Sequence, residues 1–375
     1  MKYKWIIISL VIIVLFLVGK TITFTGKIVA EEKDIIKIGA IYQETGAGAP
    51  WGTKAINGLN LAVQEINNNG GINGNEVKIV YEDSKSNPLD ALNAMNKLNN
   101  LDDVNIILAQ QSSVVMALSS VANDNQIILM DTGSTTPSYI SYDDYTFRTS
   151  YSANYFANAI ANMLNSDDVN KIGLLYINND YGIGMFDKYK KIFNGEIYAE
   201  SFSNEETDFR TQLAKIKENN PEVLIYASGP TQSGIILKQI GQMGFNKTIY
   251  TDAYTIEYAS VLQDAGEYAE GVIYISQYYN INSSEVKDFN SKYKEKYEED
   301  SNPLSAQTYD GMMVVADAMK NCKDFTNSTC IKEKLFIIQN FSGVISNISF
   351  DKYGEIVERP VMIKTIKDGQ FVLYE

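Results

Sequence analysis

The sequence predicts an α/β protein built from two units, each a mostly parallel sheet with helices on both faces. Strand-like apolar runs alternate with helical patterns almost everywhere after residue 34, which is typical of parallel sheets. The alternation starts again near residue 150. A length of 375 residues exceeds one ordinary core and suits two domains of roughly 150 residues.

In the first unit, four apolar runs predict strands and three patterns with helical spacing predict helices. The predicted strands are 35–42, 77–81, 104–108 and 127–130. The predicted helices are 58–67, 90–98 and 114–122. The glycine pair at 70–71 ends the first helix.

The second unit repeats this order after a helix at the restart. The predicted strands are 171–176, 197–201, 223–226, 248–251 and 271–276. The predicted helices are 153–164, 184–191, 209–218, 233–243, 286–297 and 308–320. The tail, 343–375, predicts short strands with a turn at 351–354.

The composition excludes several classes of function. Forty-six acids against 32 bases give a net charge of −14, so the chain is a poor nucleic-acid binder. Because histidine is absent, general bases, triads and metal ligands of that type are excluded. The only cysteines are Cys322 and Cys330, which excludes a zinc ribbon, an iron–sulfur cluster and a CxxC redox site. No cofactor or metal is expected.

The N-terminus predicts export. Lys2 and Lys4 precede an apolar run at 5–18, which at fourteen residues is short for a spanning helix and suits a secretory signal. An uncleaved membrane anchor is the alternative. In both interpretations of residues 1–30 the body lies outside the cytosol. In such an oxidising compartment Cys322 and Cys330 are expected to form a disulfide, two separate thiols being the alternative.

Several local strings, in a fixed order, resemble one known family. They include IKIGAIYQETGAGAPWG at 36–52, GLNLAVQEINNNGGINGNEVKIVYED at 58–83, AQQSSVVMA at 109–117, TGSTTP at 132–137, FRTS at 147–150 and LLYINNDYGIG at 174–184. TDFRTQLAKIK at 207–217, AEGVIYISQY at 269–278 and FSGVISNISFDKYGE at 341–355 follow. Over about residues 35–375 the chain resembles the type I solute-binding proteins of ABC transporters. Within them it is most similar to the leucine/isoleucine/valine-binding, or branched-chain amino acid, group.

The resemblance implies the periplasmic-binding-protein type I fold, with two lobes and three hinge crossings. The crossings are expected near 150–153, 276–279 and 341–343. Lobe one would be 35–150 plus 278–341, and lobe two 151–277 plus 342–375.

The resemblance also implies a function. The chain would be a receptor, not an enzyme, that closes on a small solute and delivers it to ABC permease subunits.

The resemblance implies a carboxylate site in lobe one, and hydroxyl side chains after two successive strands are consistent with it. Ser112 and Ser113 open a helix after a buried strand, where free N–H groups and the helix dipole favour an anion. The resemblance places one ligand hydroxyl at Ser113 and a second at Thr135, with Gly133 offering its backbone. The alternative is that these residues are ordinary N-caps.

Aromatic and amide side chains complete the expected site. The resemblance places Trp51 over the ligand, although a large ring in this loop could also fill a core. It places Tyr181 in lobe two, closing on the ligand, and Tyr309 near the cleft. Gln111 stands where some members carry a small apolar residue, and would add an amide to the pocket.

The chain departs from the family at the acids expected to pair the ammonium of an amino acid. One of these places falls at Ala253 or Tyr254, and another is occupied by Ala153. Asp252 would have to substitute, or the ligand lacks an ammonium. An amide, an aromatic acid or another small organic anion would then fit.

Two other functions remain open at this level. The same fold serves as a ligand-sensing ectodomain of a membrane signalling complex, which an uncleaved anchor would favour. The abundance of acids also permits a carboxylate-dependent hydrolase, although no motif supports it.

Overall fold

A computed structural model describes residues 35–46, 48–136, 143–357 and 360–374. The predicted signal or anchor at 1–30 lies outside these residues. Within the described ranges, no helix is both long and apolar enough to cross a membrane.

The first sheet contains five parallel strands in the order β2-β1-β3-β4-β5. They are β1 Ile35–Tyr42, β2 Glu76–Asp83, β3 Ile106–Ala109, β4 Ile128–Asp131 and β5 Thr146–Arg148. The helices between them are α1 Ala49–Asn68, α2 Pro88–Asn100 and α3 Ser112–Asp124. The in-register pairing of β1 with β2 over eight residues sets the loops after both strands side by side.

The second sheet contains seven strands in the order β14-β13-β10-β9-β8-β6-β7, of which β13 and β14 are antiparallel. Its strands are β6 Lys171–Ile177, β7 Glu196–Phe202, β8 Val223–Ala227, β9 Thr248–Asp252, β10 Ile273–Gln277, β13 Val361–Lys367 and β14 Gln370–Leu373. Its helices are α4 Ala153–Ser166, α5 Asp180–Ile192, α6 Arg210–Glu218, α7 Pro230–Gln242, α8 Ala253–Ile256 and α9 Ala259–Ala265. A short 3-10 helix, Gly266–Ala269, follows α9.

Three later helices return to the first sheet. They are α10 Ser284–Tyr297, α11 Pro303–Lys320 and α12 Ser328–Ile337. Helix α11 packs along α1, and its buried side chains join the core of the first sheet. A capping box between Asn302 and Ser305 fixes where α11 begins.

Both faces of each sheet are covered by apolar side chains. In the first sheet Ile38 and Leu108 belong to one cluster, whereas Ile107 and Leu129 belong to another. The second sheet likewise has two clusters. A parallel sheet buried on both faces is what continuous apolar strands predict, so the predicted α/β class is confirmed.

The sequence missed some elements. The short strand β5, the helices α8, α9 and α12 and the 3-10 helix were not predicted. Helix α1 begins at residue 49 and not at 58, because Pro50 opens its first turn and favours a helix start there.

The tail meets both sheets. Residues Val344, Ile345, Ile348, Phe350 and Ile356 pack in the core of the first sheet, around the hairpin of β11 Phe341–Ser342 and β12 Asn347–Ile348. This packing favours a third crossing after residue 356, later than the expected 341–343, while the lobe limits themselves stay a prediction.

An ion pair holds the tail to the first sheet. The buried Arg148 donates from Nε to Glu355 Oε2 at 2.9 Å, and its Nη1 donates to the Thr136 carbonyl at 2.6 Å.

Cys322 and Cys330 form a disulfide, so the first of the two cysteine interpretations is confirmed. The bond ties the residues after α11 to the first turn of α12.

Candidate functional site

A cavity of about 460 Å³ lies between the two sheets, a volume typical of small-molecule sites. It is lined by residues that follow β1 to β4 on one side and β6 to β9 on the other. Each wall includes the point where the strand order reverses, between β1 and β3 and between β6 and β8. Open α/β sheets bind ligands outside the carboxyl ends of their strands at such a point.

The first-sheet wall carries the predicted hydroxyls. Ser113 and Thr135 both line the cavity, and among the described residues their hydroxyl groups have no hydrogen-bond partner. The Ser112 hydroxyl accepts from Thr136 N at 3.2 Å, so it also braces the neighbouring loop. Because the first helical bond of α3 runs from Val115 N to Gln111 O, the earlier N–H groups of the helix have no partner among the described residues.

Gly133 lines the same wall, but its backbone N–H is already used. It donates to Asp131 Oδ1 at 3.0 Å, as does Ser134 N at 2.7 Å. The expectation that Gly133 offers a backbone donor is therefore wrong at this atom. Its missing side chain matters instead, since a Cβ there would stand 2.9 Å from Gln110 Oε1 and 3.0 Å from Leu304 Cδ1.

Three glutamine side chains, Gln43, Gln110 and Gln111, are hydrogen-bonded to each other on this wall. Gln110 Nε2 donates to Gln43 Oε1, and Gln43 Nε2 donates to Gln111 Oε1 at 2.8 Å. Gln43 Nε2 also lies 3.4 Å from the Gln110 backbone carbonyl. Gln111 has φ +78° and ψ 128°, a left-handed conformation that is strained for any residue but glycine.

Trp51 joins the two walls. It lines the cavity from the start of α1, and its ring also packs against a core cluster of the second sheet. Its Cη2 lies 3.8 Å from where a Cβ on Gly229 would stand. Both alternatives for Trp51 therefore hold: it is a cleft wall and it is core filler.

The second-sheet wall presents Tyr181, with Asp252 behind it. The Tyr181 hydroxyl donates to Asp252 Oδ2 and lies 3.1 Å from Thr255 Oγ1. Asp252 Oδ1 accepts from Thr255 N at 3.2 Å. Burial raises the pKa of Asp252 to about 6, opposed by the hydrogen bond from Tyr181, and burial with the Asp252 charge raises the pKa of Tyr181.

Tyr254 links this wall to α11. Its hydroxyl lies within hydrogen-bonding distance of the Gln307 side chain, and Gln277 Nε2 donates to it. Gln307 Nε2 also donates to the Thr132 carbonyl at 2.6 Å. The phenol oxygen of Tyr254 is therefore held by protein groups and not left open to a ligand.

Most of the predicted site residues meet at the cavity. Those that line it are Trp51, Gln111, Ser112, Ser113, Gly133, Thr135, Tyr181 and Tyr254. Asp252 is fully buried and reaches the cavity only through Tyr181.

Tyr309 is placed elsewhere, which corrects its expected place near the cleft. Its ring packs edge-on against Phe289 at 5.2 Å, because its face of α11 points toward α10 and the core of the first sheet.

Sequence reasoning missed several polar residues of the second-sheet wall. Asn179, Asn204, Ser228 and Gln232 line the cavity after β6, β7 and β8. The sequence contained a signal that could have identified them, because each follows a predicted parallel strand and ligands bind at the carboxyl ends of such strands. The charged residues that line the described cavity are Lys85 and Glu205, and both are exposed.

Nothing among the described residues suggests a metal centre. No group of three or more histidines, cysteines or acids in these ranges could hold an ion.

Comparison with known proteins gives a consistent result. A family model described as periplasmic binding protein matches residues 35–370. A Leu/Ile/Val-binding protein homolog 2 from Brucella abortus is 24% identical over 347 residues, covering 89% of this chain and 91% of that protein.

Solved structures show the same likeness. The branched-chain amino acid transporter substrate binding protein of Streptococcus pneumoniae, in complex with isoleucine, is 27% identical with a TM-score of 0.80, covering 90% of this chain and 98% of that one. A solute binding protein from R. palustris, in complex with benzoate, has a TM-score of 0.81 at 18% identity, covering 91% and 95%, and shows the likeness of fold.

Proposed function

The chain belongs to the periplasmic binding protein family, type I, and from that premise we propose that it is the extracytoplasmic solute-binding receptor of an ABC importer. It would hold a small amino acid, or a related carboxylate or amide, between its two sheets.

One observation carries the proposal: the cavity lies where the reversal points of both sheets face each other. One wall offers the free hydroxyls of Ser113 and Thr135 beside the start of α3. The other offers Tyr181 from the start of α5. A ligand that contacts both walls binds the closed arrangement best, and so shifts the population toward closure.

The side chains of the cavity favour a receptor over an enzyme. A glycosidase needs two carboxyl groups across the scissile bond. The described lining contains one carboxylate, the exposed Glu205. A second carboxylate to complete such a pair is missing from the described lining, whereas donors that can hold an anion are present.

The proposed location rests on two features. The apolar run at 5–18 after Lys2 and Lys4 supports a signal sequence or an N-terminal anchor. The Cys322–Cys330 bond fits an oxidising compartment, where disulfides persist. The partners would be permease subunits in the membrane, as the name of the S. pneumoniae relative suggests.

A thermal-shift screen of the purified chain tests this function. Amino acids, amides and small organic acids would be added singly. A true ligand adds roughly 2.7 kcal/mol to the free energy of unfolding at a hundredfold excess over Kd, and so raises the melting temperature. We expect at least one class to do so, and we expect the double variant Ser113→Ala/Thr135→Val to lose the shift.

The control is Ser201→Ala/Thr211→Val, which makes the same chemical changes at two exposed residues outside the cavity. It should keep the shift. If no compound of any class raises the melting temperature, or if the cavity double variant keeps the full shift, the proposed function is wrong.

A further inference from the structure

The three glutamines of the first-sheet wall form a chain of hydrogen bonds with a fixed direction. The direction of an amide is set by its hydrogen-bond partners, and a backbone carbonyl can only accept. Since the Gln43 amide group lies 3.4 Å from the Gln110 backbone carbonyl, its nitrogen must stand on that side. Gln43 Oε1 then faces Gln110, whose Nε2 donates to it.

This direction decides what Gln111 shows to the cavity. Gln43 Nε2 donates to Gln111 Oε1 at 2.8 Å, so the oxygen of Gln111 is occupied. Its nitrogen points away from Gln43, and within the described structure it has no partner. Gln111 is thus held as a hydrogen-bond donor on the cavity wall.

The arrangement of the three glutamines lowers the stability of the folded state at two residues, Gln111 and Gln110. Gln111 adopts φ +78°, where only glycine is unstrained. Gln110 is 1% exposed, and its Oε1 is buried against Gly133 without a partner among the described residues. Strain and unpaired polar atoms that persist together beside a cavity point to a role in ligand binding.

Apart from the buried Gln110 Oε1, this wall carries further groups that can donate to a ligand. In the part of the chain that the structure describes, the hydroxyls of Ser113 and Thr135 and the first N–H groups of α3 have no partner. Lys85 lies on the same side at the mouth. A wall of donors beside a helix N-terminus is complementary to an anion.

The described walls offer an ammonium group no comparable partner. Both oxygens of Asp252 are engaged, by Tyr181 and by Thr255, and Asp252 does not line the cavity. Glu205 is exposed on the loop after β7. A cation buried without a countercharge is costly, so an amino acid would bind this cavity less well than its deaminated counterpart.

We propose that the solute is a small organic carboxylate without an ammonium group, and that Gln111, oriented by Gln43 and Gln110, selects it by donating a hydrogen bond to the carboxylate. This inference rests on the proposed function and names the ligand class of that same cavity. Gln111 is a specificity-determining residue, and Gln43 is a positioning residue.

Calorimetric titration of the full chain with matched pairs tests the ligand class. The pairs are leucine with 4-methylpentanoate and phenylalanine with 3-phenylpropanoate, which differ only in the ammonium. We expect an acid to bind at least about tenfold tighter than its amino acid, the scale of one buried polar mismatch.

Two other results are informative in different ways. An amino acid that binds as tightly as its acid, or tighter, overturns this inference and leaves the receptor function intact. If neither member of either pair binds, and benzoate does not bind, the inference is overturned. If in addition no compound in the thermal-shift screen raises the melting temperature, the proposed function is wrong as well.

Variants of Gln111 test the selecting residue. Gln111→Leu removes the donor, and we expect it to weaken acid binding about ten- to hundredfold, the range for a hydrogen bond to a charged group. Gln111→Gly relieves the strained backbone, so it should raise the melting temperature of the free protein while still weakening acid binding. A merely structural glutamine would not separate stability from binding in this way.

A double-mutant cycle tests whether Gln43 acts on the ligand through Gln111. Gln43→Leu should weaken acid binding less than Gln111→Leu, and the double variant should bind no worse than Gln111→Leu alone. The control Gln242→Leu, at the exposed end of α7, should bind as wild type. Full additivity of the two effects, or undiminished acid binding by Gln111→Gly, contradicts the roles assigned here.

Discussion

Asp252 illustrates what single residues decide in this molecule. It is completely buried, and its carboxylate accepts from the Tyr181 hydroxyl and from Thr255 N. Its burial raises its pKa to about 6, and its hydrogen bonds do not fully offset that effect. Asp252 therefore orients a cavity tyrosine, and in the ligand class proposed above it has no ammonium to pair.

This pKa predicts a pH dependence of folding stability. Between about pH 4 and pH 6 the unfolded chain has lost the proton of Asp252, whose ordinary pKa is 3.8, while the folded chain keeps it. The contribution of this group to stability therefore falls as pH rises through that window, by roughly 2–3 kcal/mol in total. We expect Asp252→Asn, which has no proton to lose, to gain stability relative to wild type as pH rises.

Urea unfolding of both proteins at pH 4, 5, 6 and 7 measures this difference directly. Subtracting the two curves removes the effect of the other acids, which are common to both chains. A difference that stays constant from pH 4 to pH 7 would show that Asp252 keeps an ordinary pKa in the fold.

For single residues, the sequence predicted the position along the fold better than it predicted which way the side chain points. Ser113, Thr135 and Tyr181 were assigned to the site by the family resemblance, and all three line the cavity, each after a strand end. Asp252 also ends a strand, but a carboxylate that is buried behind a ring looks the same in sequence as one that faces solvent. The resemblance misplaced Tyr309, and the helix pattern could not correct it, because the helix is buried on nearly every side and no polar face indicates its orientation.

Among the secondary-structure elements, the close packing of α1 on α11 fixes the first-sheet wall. Gly58 of α1 lies so near α11 that a Cβ there would stand 2.1 Å from the Ser305 carbonyl oxygen. A backbone oxygen cannot move aside as a flexible side chain can. The beginning of α11 also carries Leu304 into the cavity wall, so the contact positions part of the site.

We therefore expect Gly58→Ala to destabilise the protein, although alanine is the better helix former. Overpacking against a backbone costs about 1–3 kcal/mol, which exceeds the gain in helix propensity of about 1 kcal/mol. Chemical denaturation measures the net loss. Thr53→Ala, five residues earlier on an exposed face of α1, should change stability by about half a kcal/mol or less. Equal stability of Gly58→Ala and wild type would mean that the two helices can separate without cost.

The elements that the sequence missed share a physical cause. Strand β5 has three residues and α8 has four, too short for any periodicity to appear. Helix α12 follows a run of polar residues that predicts a loop, and its N-cap at Asn327 is visible only once the helix is known. The longer strands and helices were predicted because both faces of each sheet are buried.

For the whole molecule, the two sheets are joined across the cavity in this structure. Trp51 reaches from α1 to Gly229, and α3 contacts α5 from the opposite sheet. A wider opening of the cavity requires these contacts to separate. Opening and closing about the crossings is therefore the expected large-scale motion.

The tryptophan content allows that motion to be measured. The chain has two tryptophans, Trp5 and Trp51, so Trp5→Phe leaves one reporter on the cavity wall. We expect ligand to change the fluorescence of Trp51 and to lower the radius of gyration in X-ray scattering, because both report closure. Saturating ligand that alters neither signal would mean that the two halves do not move on binding.

The position of the C-terminal strands also constrains the order in which the protein can fold during synthesis. Strand β13, which comprises residues 361–367, pairs with β10. Helix α11 packs on α1, although the two helices are about 250 residues apart in the sequence. Neither sheet can reach its final packing before the last third of the chain has been made. Contacts so distant in sequence slow folding, and the export that the N-terminal sequence predicts would therefore meet a chain that is still unfolded.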